Sequence, residues 1–269
     1  MKHKIVFFDM DGTLFQTADG IVQESSLAAI ERLREKGYLI AAATGRGLNM
    51  LKPILDQVTF DYYVLINGGY ILDSGFNEIG TGPISKADTE DLVSLAEDND
   101  LGLLFHFGDS SYIYNNFYPI YDFMKYTNSL DGVFYDQTQS FHHRHDPYQA
   151  IVLTRDSGLI DDFVRDHPNM RMDLINVKTN GFAYDLFNAE NDKAHGIEAI
   201  LERENLSWDD VIAFGDSTND IRMLEKAGLG IAMGSASDFV KSFADRTTTS
   251  VYANGIFNAV KEILAEEAE

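Results

Sequence analysis

Cysteine is absent from the 269 residues, which excludes disulfides and thiolate metal sites. Positive charge is scarce: 21 Lys and Arg face 43 Asp and Glu, for a net charge of −22. Such a field argues against non-specific binding to nucleic acid or to an anionic membrane, both of which need a cationic surface. It also disfavours anionic ligands in general, so any anion site needs local positive charge. No apolar run approaches the ~20 residues a membrane helix requires. No internal repeat and no low-complexity linker interrupts the chain. A first strand by about residue 4 leaves no room for a signal peptide, so the expectation is a soluble, cytoplasmic protein.

What is present is a chain with an ordinary apolar share, 45%, long enough for one large domain or two modest ones. Ile5 to Phe8 is an unbroken apolar run and reads as a buried parallel strand. It leads into Asp9-Met10-Asp11-Gly12-Thr13, an acidic turn. Side chains two apart on extended backbone point the same way, so Asp9 and Asp11 can converge. Two carboxylates at the end of a buried strand repel each other, a cost tolerable mainly with a cation between them. The alternative is an Asp-rich turn followed by a helix cap.

Further on, Ser25 or Ser26 is expected to cap a helix with Leu27, Ile30 and Leu33 at helical spacing, ending at Gly37. Leu39 to Ala43 reads as a second buried strand, ending in Thr44-Gly45-Arg46. Strand–helix–strand order implies parallel pairing and a right-handed crossover. Both strands then deliver their carboxyl ends to one edge, where open α/β sheets bind ligands. A third strand, Tyr62 to Ile66, ends in Asn67-Gly68-Gly69, which is a site rim or merely a turn. A hairpin is expected at 70–79 around Asp73-Ser74-Gly75, then a linker at 80–83.

From about 84 to 186 the texture changes, with aromatics crowding strand-like runs. The expected elements are helices near 86–99, 117–128 and 157–166, and strands near 102–107, 110–115, 149–154, 171–176 and 181–186. Beyond them come a helix after Asp192-Lys193, an apolar strand at 211–214, a helix at 218–226, a strand at 229–233, a helix from Ser237 to Ala244 and an amphipathic helix from Gly255 with an acidic tail.

DMDGT (9–13) resembles the first motif of the haloacid dehalogenase superfamily of phosphotransferases. AATGR (42–46) looks like its second motif, Lys193 sits where the lysine of the third is expected, and GDSTND (215–220) is similar to the fourth. Order, spacing and the phrases LINGG and IRMLEKAGLGIAMGSA look most like the Cof-type branch of small-molecule phosphatases, those with a IIB cap. The resemblance spans nearly the whole chain outside its middle. It implies an α/β protein: a Rossmann-like core with a parallel sheet at 1–83 and 187–269, and an inserted α+β cap domain at 84–186 that sets specificity.

Cleaving a phosphate monoester needs an in-line nucleophile, a proton for the leaving oxygen, and positive charge around the equatorial oxygens. The resemblance implies Asp9 as the nucleophile that forms an aspartyl phosphate and Asp11 as general acid, then base. It implies Mg²⁺ held by Asp9, Asp216 and the backbone carbonyl of Asp11. Asp220 would support that carboxylate loop. Thr44, Lys193, Asn219, Arg46 and the backbone of Met10 and Gly45 would contact the phosphoryl group, with Asn67, Gly68 and Gly69 at the rim. The implied partner is a small phosphorylated metabolite, foremost a sugar phosphate, with flavin mononucleotide or pyridoxal phosphate next. A phosphomutase reusing the same aspartyl phosphate and a catalytically silent phospho-ligand sensor are the alternatives.

Ser235, Arg246 and the phrase SVYANG (250–255) depart from the branch, and bear on substrate and packing rather than the reaction. The cluster His142, His143 and His145 is either a metal site or a solvated loop; a metal site would need acidic partners nearby. Substrate, oligomeric state and the cap residues that set specificity are not legible at this level.

Overall fold

A strand covered on both faces needs an uninterrupted apolar run, and Ile5–Phe8 (β1) supplies four residues that are all fully buried. The computed structural model describes residues 3–16, 20–127, 129–175 and 181–267. The chain divides into two units: Met1–Gly45, Lys52–Gly80 and Asp192–Glu269 form one, and Arg46–Leu51 with Thr81–Asn191 the other.

In the first unit β1 is followed by α1 (Glu24–Glu35), β2 (Leu39–Ala43), α2 (Lys52–Leu55), β3 (Tyr62–Leu65), β4 (Tyr70–Asp73) and β5 (Glu78–Thr81). The cap of α1 differs from expectation. The helix begins after Gln23, which makes no side-chain cap bond; Ser26 is buried inside the helix, and the Ser25 hydroxyl donates to Asn254 instead (2.7 Å). The hairpin after β4 is tied by Asp73, whose Oδ1 accepts from the backbone of Gly75 and Asn77, each at 2.9 Å.

The second unit carries α3 (Lys86–Asp98), β6 (Gly102–His106), β7 (Ser111–Asn115), α4 (Phe117–Tyr126), β8 (Val133–Tyr135), β9 (Gln149–Thr154), α5 (Ser157–Asp166), β10 (Met170–Leu174) and β11 (Phe182–Asn188). Among the described residues its six strands run in the order β10-β11-β9-β6-β7-β8, antiparallel except for β7 with β8. Arg46–Leu51 joins this unit because Leu48 N–H donates to the Gly108 carbonyl (2.9 Å) and the Asn49 amide to that of Asp131 (2.5 Å). Strand aromatics such as Phe105 and Tyr114 are buried core, whereas Tyr118 and Tyr126 on α4 are exposed. The expected ends of elements at residues 128 and 176, residues 17–19 and the last two tail residues lie outside the described residues.

The chain returns to the first unit with α6 (Lys193–Glu204), β12 (Val211–Gly215), α7 (Ile221–Lys226), β13 (Leu229–Ala232), α8 (Asp238–Lys241), β14 (Arg246–Thr247) and α9 (Gly255–Glu266). Two expected helices are shorter than their patterns. The one at 218–226 starts as a 3₁₀ turn, Thr218–Asp220, because the Asp220 carboxylate folds back on the backbone of Asp216 and Ser217. The one opened by Ser237 ends at Lys241. Arg246 forks onto Glu266 with two bonds of 2.8 Å.

The eight-stranded sheet runs β14-β13-β12-β1-β2-β3-β4-β5. β1 pairs in parallel with β12 on one side and β2 on the other, which makes it the switch point of the sheet. Parallel pairing continues to β13 and β3, so the carboxyl ends of all five strands share one edge. Phe8 and Phe214 stack across the central pair, with centroids 5.1 Å apart.

Candidate active site

The last bond of the β1–β12 ladder, Asp9 N–H to the Phe214 carbonyl (2.9 Å), sets the first acidic residue at the sheet's carboxyl edge. On the next strand Thr44 is held by its N–H to Val64 (2.8 Å), and its carbonyl accepts from Asn67 (3.0 Å). Asp216 follows β12. The chain thus leaves three neighbouring strands with an acid, a hydroxyl and an acid at one edge.

The turn after Asp9 closes on the Met10 carbonyl, which accepts from Leu14 (2.9 Å) and Phe15 (3.1 Å). Gly12 sits at φ +84°, and a Cβ there would collide with Oδ2 of Asp216. Glycine is therefore required on both counts, and its bareness lets the first acidic loop lie directly on the fourth. Asp11 is half-buried in this turn.

Lys193 is the second residue that fixes the geometry. It opens α6, whose N-cap Asp192 accepts from His195 N–H (2.8 Å) and pairs with Arg222. The Lys193 side chain is completely buried, and its ammonium donates to Oδ1 of Asp9 and Oδ1 of Asp220, each at 2.6 Å. The other oxygen of Asp220 accepts from the backbone of Asp216 and Ser217, both at 2.9 Å. Both Asp220 oxygens are thereby engaged, so it organises the loop carrying Asp216. The S-x-x-D spacing of 217–220, that of a capping box, was the signal for this bond in the sequence. Nothing local announced that Lys193 would bridge two carboxylates.

Asn67 to Gly69 are more than a turn. Asn67 is buried at φ 49°, and its side-chain oxygen accepts from the Asn219 amide (3.0 Å). Gly68 sits at φ +89°, where a Cβ would strike the Asp192 carbonyl. The segment therefore braces both the fourth acidic loop and the start of α6. Gly45 packs beside the Asn67 amide, and Gly69 closes the turn onto Ile66 (2.9 Å). Arg46 belongs to the second unit.

Carboxylate oxygens of Asp9, Asp216 and Asp220 lie within 4.8 Å of one another. Burial pushes the Asp9 carboxyl well above its ordinary value; Asp220 and Asp216 push the same way, while Lys193 opposes them. Burial likewise raises Asp216 to about 6, with Asp220 adding to the shift. Burial alone would depress Lys193, but Asp220 and Asp9 more than reverse this and hold it above the lysine range. Oδ1 of Asp216 is buried and has no hydrogen-bond partner among the described residues. Three carboxylates against one ammonium, with one oxygen orphaned, is a donor set that fits a hard divalent cation.

A family model described as haloacid dehalogenase-like hydrolase matches residues 6–260. The pyridoxal phosphate phosphatase YbhA of Escherichia coli (strain K12) is 26% identical over 268 residues, covering 93% of this chain and 97% of its own. A crystal structure of a hypothetical protein from Geobacillus kaustophilus HTA426 is 31% identical, superposes with a TM-score of 0.87, and covers 97% of this chain and 99% of that one. The HAD subclass IIB sugar phosphatase BT4131 shares the fold at a TM-score of 0.79 and 24% identity, covering 97% and 98%. With the acidic loops and the lysine meeting at the switch point of the sheet, these matches leave one assignment: the chain belongs to the haloacid dehalogenase-like hydrolases, in their Cof-type branch of phosphatases.

Proposed function

We propose that the protein is a Mg²⁺-dependent phosphatase of small phosphorylated metabolites, sugar phosphates foremost and pyridoxal phosphate or flavin mononucleotide next, and that it works through an aspartyl phosphate. The observation that carries the metal-dependent part is the orphaned, buried Oδ1 of Asp216 beside Asp9. Asp9 and Asp216, with the Asp11 carbonyl, would hold Mg²⁺; the ion would draw charge from the phosphoryl oxygens. Lys193 donates to Oδ1 of Asp9 and so fixes the orientation of the carboxylate proposed to attack phosphorus. Burial raises the Asp9 carboxyl, so Asp9 needs the positive charge around it to stay ionised as a nucleophile.

The reaction runs in two displacements. Asp9 attacks phosphorus, the phosphorus–oxygen bond to the leaving group breaks, and Asp11 gives that oxygen its proton. Water then attacks the aspartyl phosphate and passes a proton back to the Asp11 carboxylate, releasing inorganic phosphate and restoring Asp9. Thr44, Asn219, Arg46 and the backbone of Met10 and Gly45 are assigned to the phosphoryl oxygens, and Asp220 keeps Lys193 and the Asp216 loop in register. We assign catalysis to a core at 1–83 and 187–269 and specificity to the inserted cap at 84–186, a division that differs from the two compact units at 46–51, 81–83 and 187–191. YbhA and BT4131, named for pyridoxal phosphate and sugar substrates, support a small metabolite as the partner. The test is phosphate release across a panel of sugar phosphates, pyridoxal phosphate and flavin mononucleotide, with and without Mg²⁺. Release that needs both a metabolite of this kind and the metal is the expected result; no release from any of them removes the proposal.

A further inference from the structure

The histidine run 142–145 splits in the fold. His145 stacks on Phe141, with ring centroids 4.2 Å apart, whereas His142 and His143 turn toward Glu90 on α3. Oε1 of Glu90 is 3.2 Å from Nε2 of His142 and 3.4 Å from Nε2 of His143. Two atoms bound tetrahedrally to one zinc ion at about 2.0–2.1 Å stand about 3.3–3.4 Å apart, and both separations from Glu90, which are also those of ordinary ion pairs, match that spacing. The His142 side chain is only 3% exposed. Its buried Nε2 faces the Glu90 carboxylate as an ion pair. One carboxylate shared by a buried and an exposed imidazole brings three potential ligand atoms within 4.8 Å of one another.

The surroundings hold that nitrogen in place. His142 Nδ1 lies 3.1 Å from the hydroxyl of Tyr114, which also accepts from the His142 backbone N–H at 2.8 Å. Tyr114 is buried. The Tyr114 hydroxyl on Nδ1 holds the ring in orientation, as a neighbouring oxygen commonly does for a metal-binding histidine. Asp136 pins the turn that carries both histidines, accepting from the backbone of Ser140 (2.7 Å) and Phe141 (2.8 Å).

We propose that Glu90, His142 and His143 form a binding site for a divalent transition-metal ion, with zinc as the probe. Three protein ligands leave the fourth tetrahedral position to water or an outside donor. Two imidazoles favour a transition ion over Mg²⁺, which selects oxygen donors. The site is thus chemically separable from the carboxylate cluster of the first unit.

The experiment is calorimetric titration of Zn²⁺ into the full chain at neutral pH, with Mg²⁺ in large excess to occupy the carboxylates. One zinc per chain is expected. Glu90→Gln and His143→Ala change half-exposed side chains and should each weaken zinc binding at least about tenfold, with Tyr114→Phe weakening it by roughly tenfold. Asp216→Asn should leave it unchanged. A chain that takes up no zinc under excess Mg²⁺ overturns the proposal. So does equal affinity in Glu90→Gln and His143→Ala, or loss of zinc in Asp216→Asn.

Discussion

Lys193 and Asp220 meet with Nζ 2.6 Å from Oδ1, and neither side chain has any exposed surface. The same ammonium reaches Asp9, so one buried cation serves two buried carboxylates. Removing it leaves both acids in a low-dielectric interior without their partner. Lys193→Met should destabilise the protein by about 3–5 kcal/mol in urea unfolding. Adding Asp220→Asn to that variant should recover part of the loss. A single variant as stable as wild type would mean the ammonium does not compensate the acids.

Gly12 lets the DMDGT turn lie against Asp216. In Gly12→Ala the new methyl group must displace that carboxylate and hold a positive φ. The Mg²⁺ concentration for half-maximal phosphate release should rise at least about tenfold, as it does when a metal ligand loses its supporting neighbours. An unaltered Mg²⁺ titration would show that the contact has no bearing on the metal.

Asp216→Asn tests the proposed ligand itself rather than its support. The Mg²⁺ requirement should rise by at least about 100-fold, beyond the effect of an outer neighbour. A Mg²⁺ curve superimposable on wild type would remove Asp216 from the metal.

The second unit holds a carboxyl with a pH signature of its own. Burial raises Asp185 from 3.8 to about 7; a bond from Gln149 opposes this, and Asp173, its cross-strand partner, adds to it. Below pH 3.8 the group is protonated in folded and unfolded chains alike and costs nothing. As pH climbs toward about 7 the unfolded chain releases the proton first, so folding becomes less favourable, and above that value the cost is complete. Wild type should therefore lose stability relative to Asp185→Asn between acid and neutral pH, read from urea midpoints at several pH values. A gap that stays constant or moves the other way contradicts the shift.

How much of this was legible beforehand depended on sequence distance. β1, β2 and β12 were readable because each is a short apolar run ending in polar residues, and parallel order followed from the helices between them. Residues 9, 44, 193 and 216 stood out by motif resemblance. The bridge from Lys193 to both Asp9 and Asp220 was not readable, since chain order does not reveal which carboxylate a buried ammonium will choose. Nor was the meeting of Asn67 with Asn219, or of Glu90 with His142, each of which depends on tertiary approach. The cap of α1 was misread because Ser26 is buried and Ser25 finds a partner in Asn254. Short strands such as β8 and β14 carry too few residues for periodicity to mark them.

The most direct test is phosphate release by Asp9→Asn beside wild type, on the best metabolite of the panel and at saturating Mg²⁺. The account predicts turnover for wild type and none above background for the variant, with the variant's circular dichroism and urea midpoint showing a folded protein. Turnover by a folded Asp9→Asn protein would contradict it, because another group would then be attacking phosphorus.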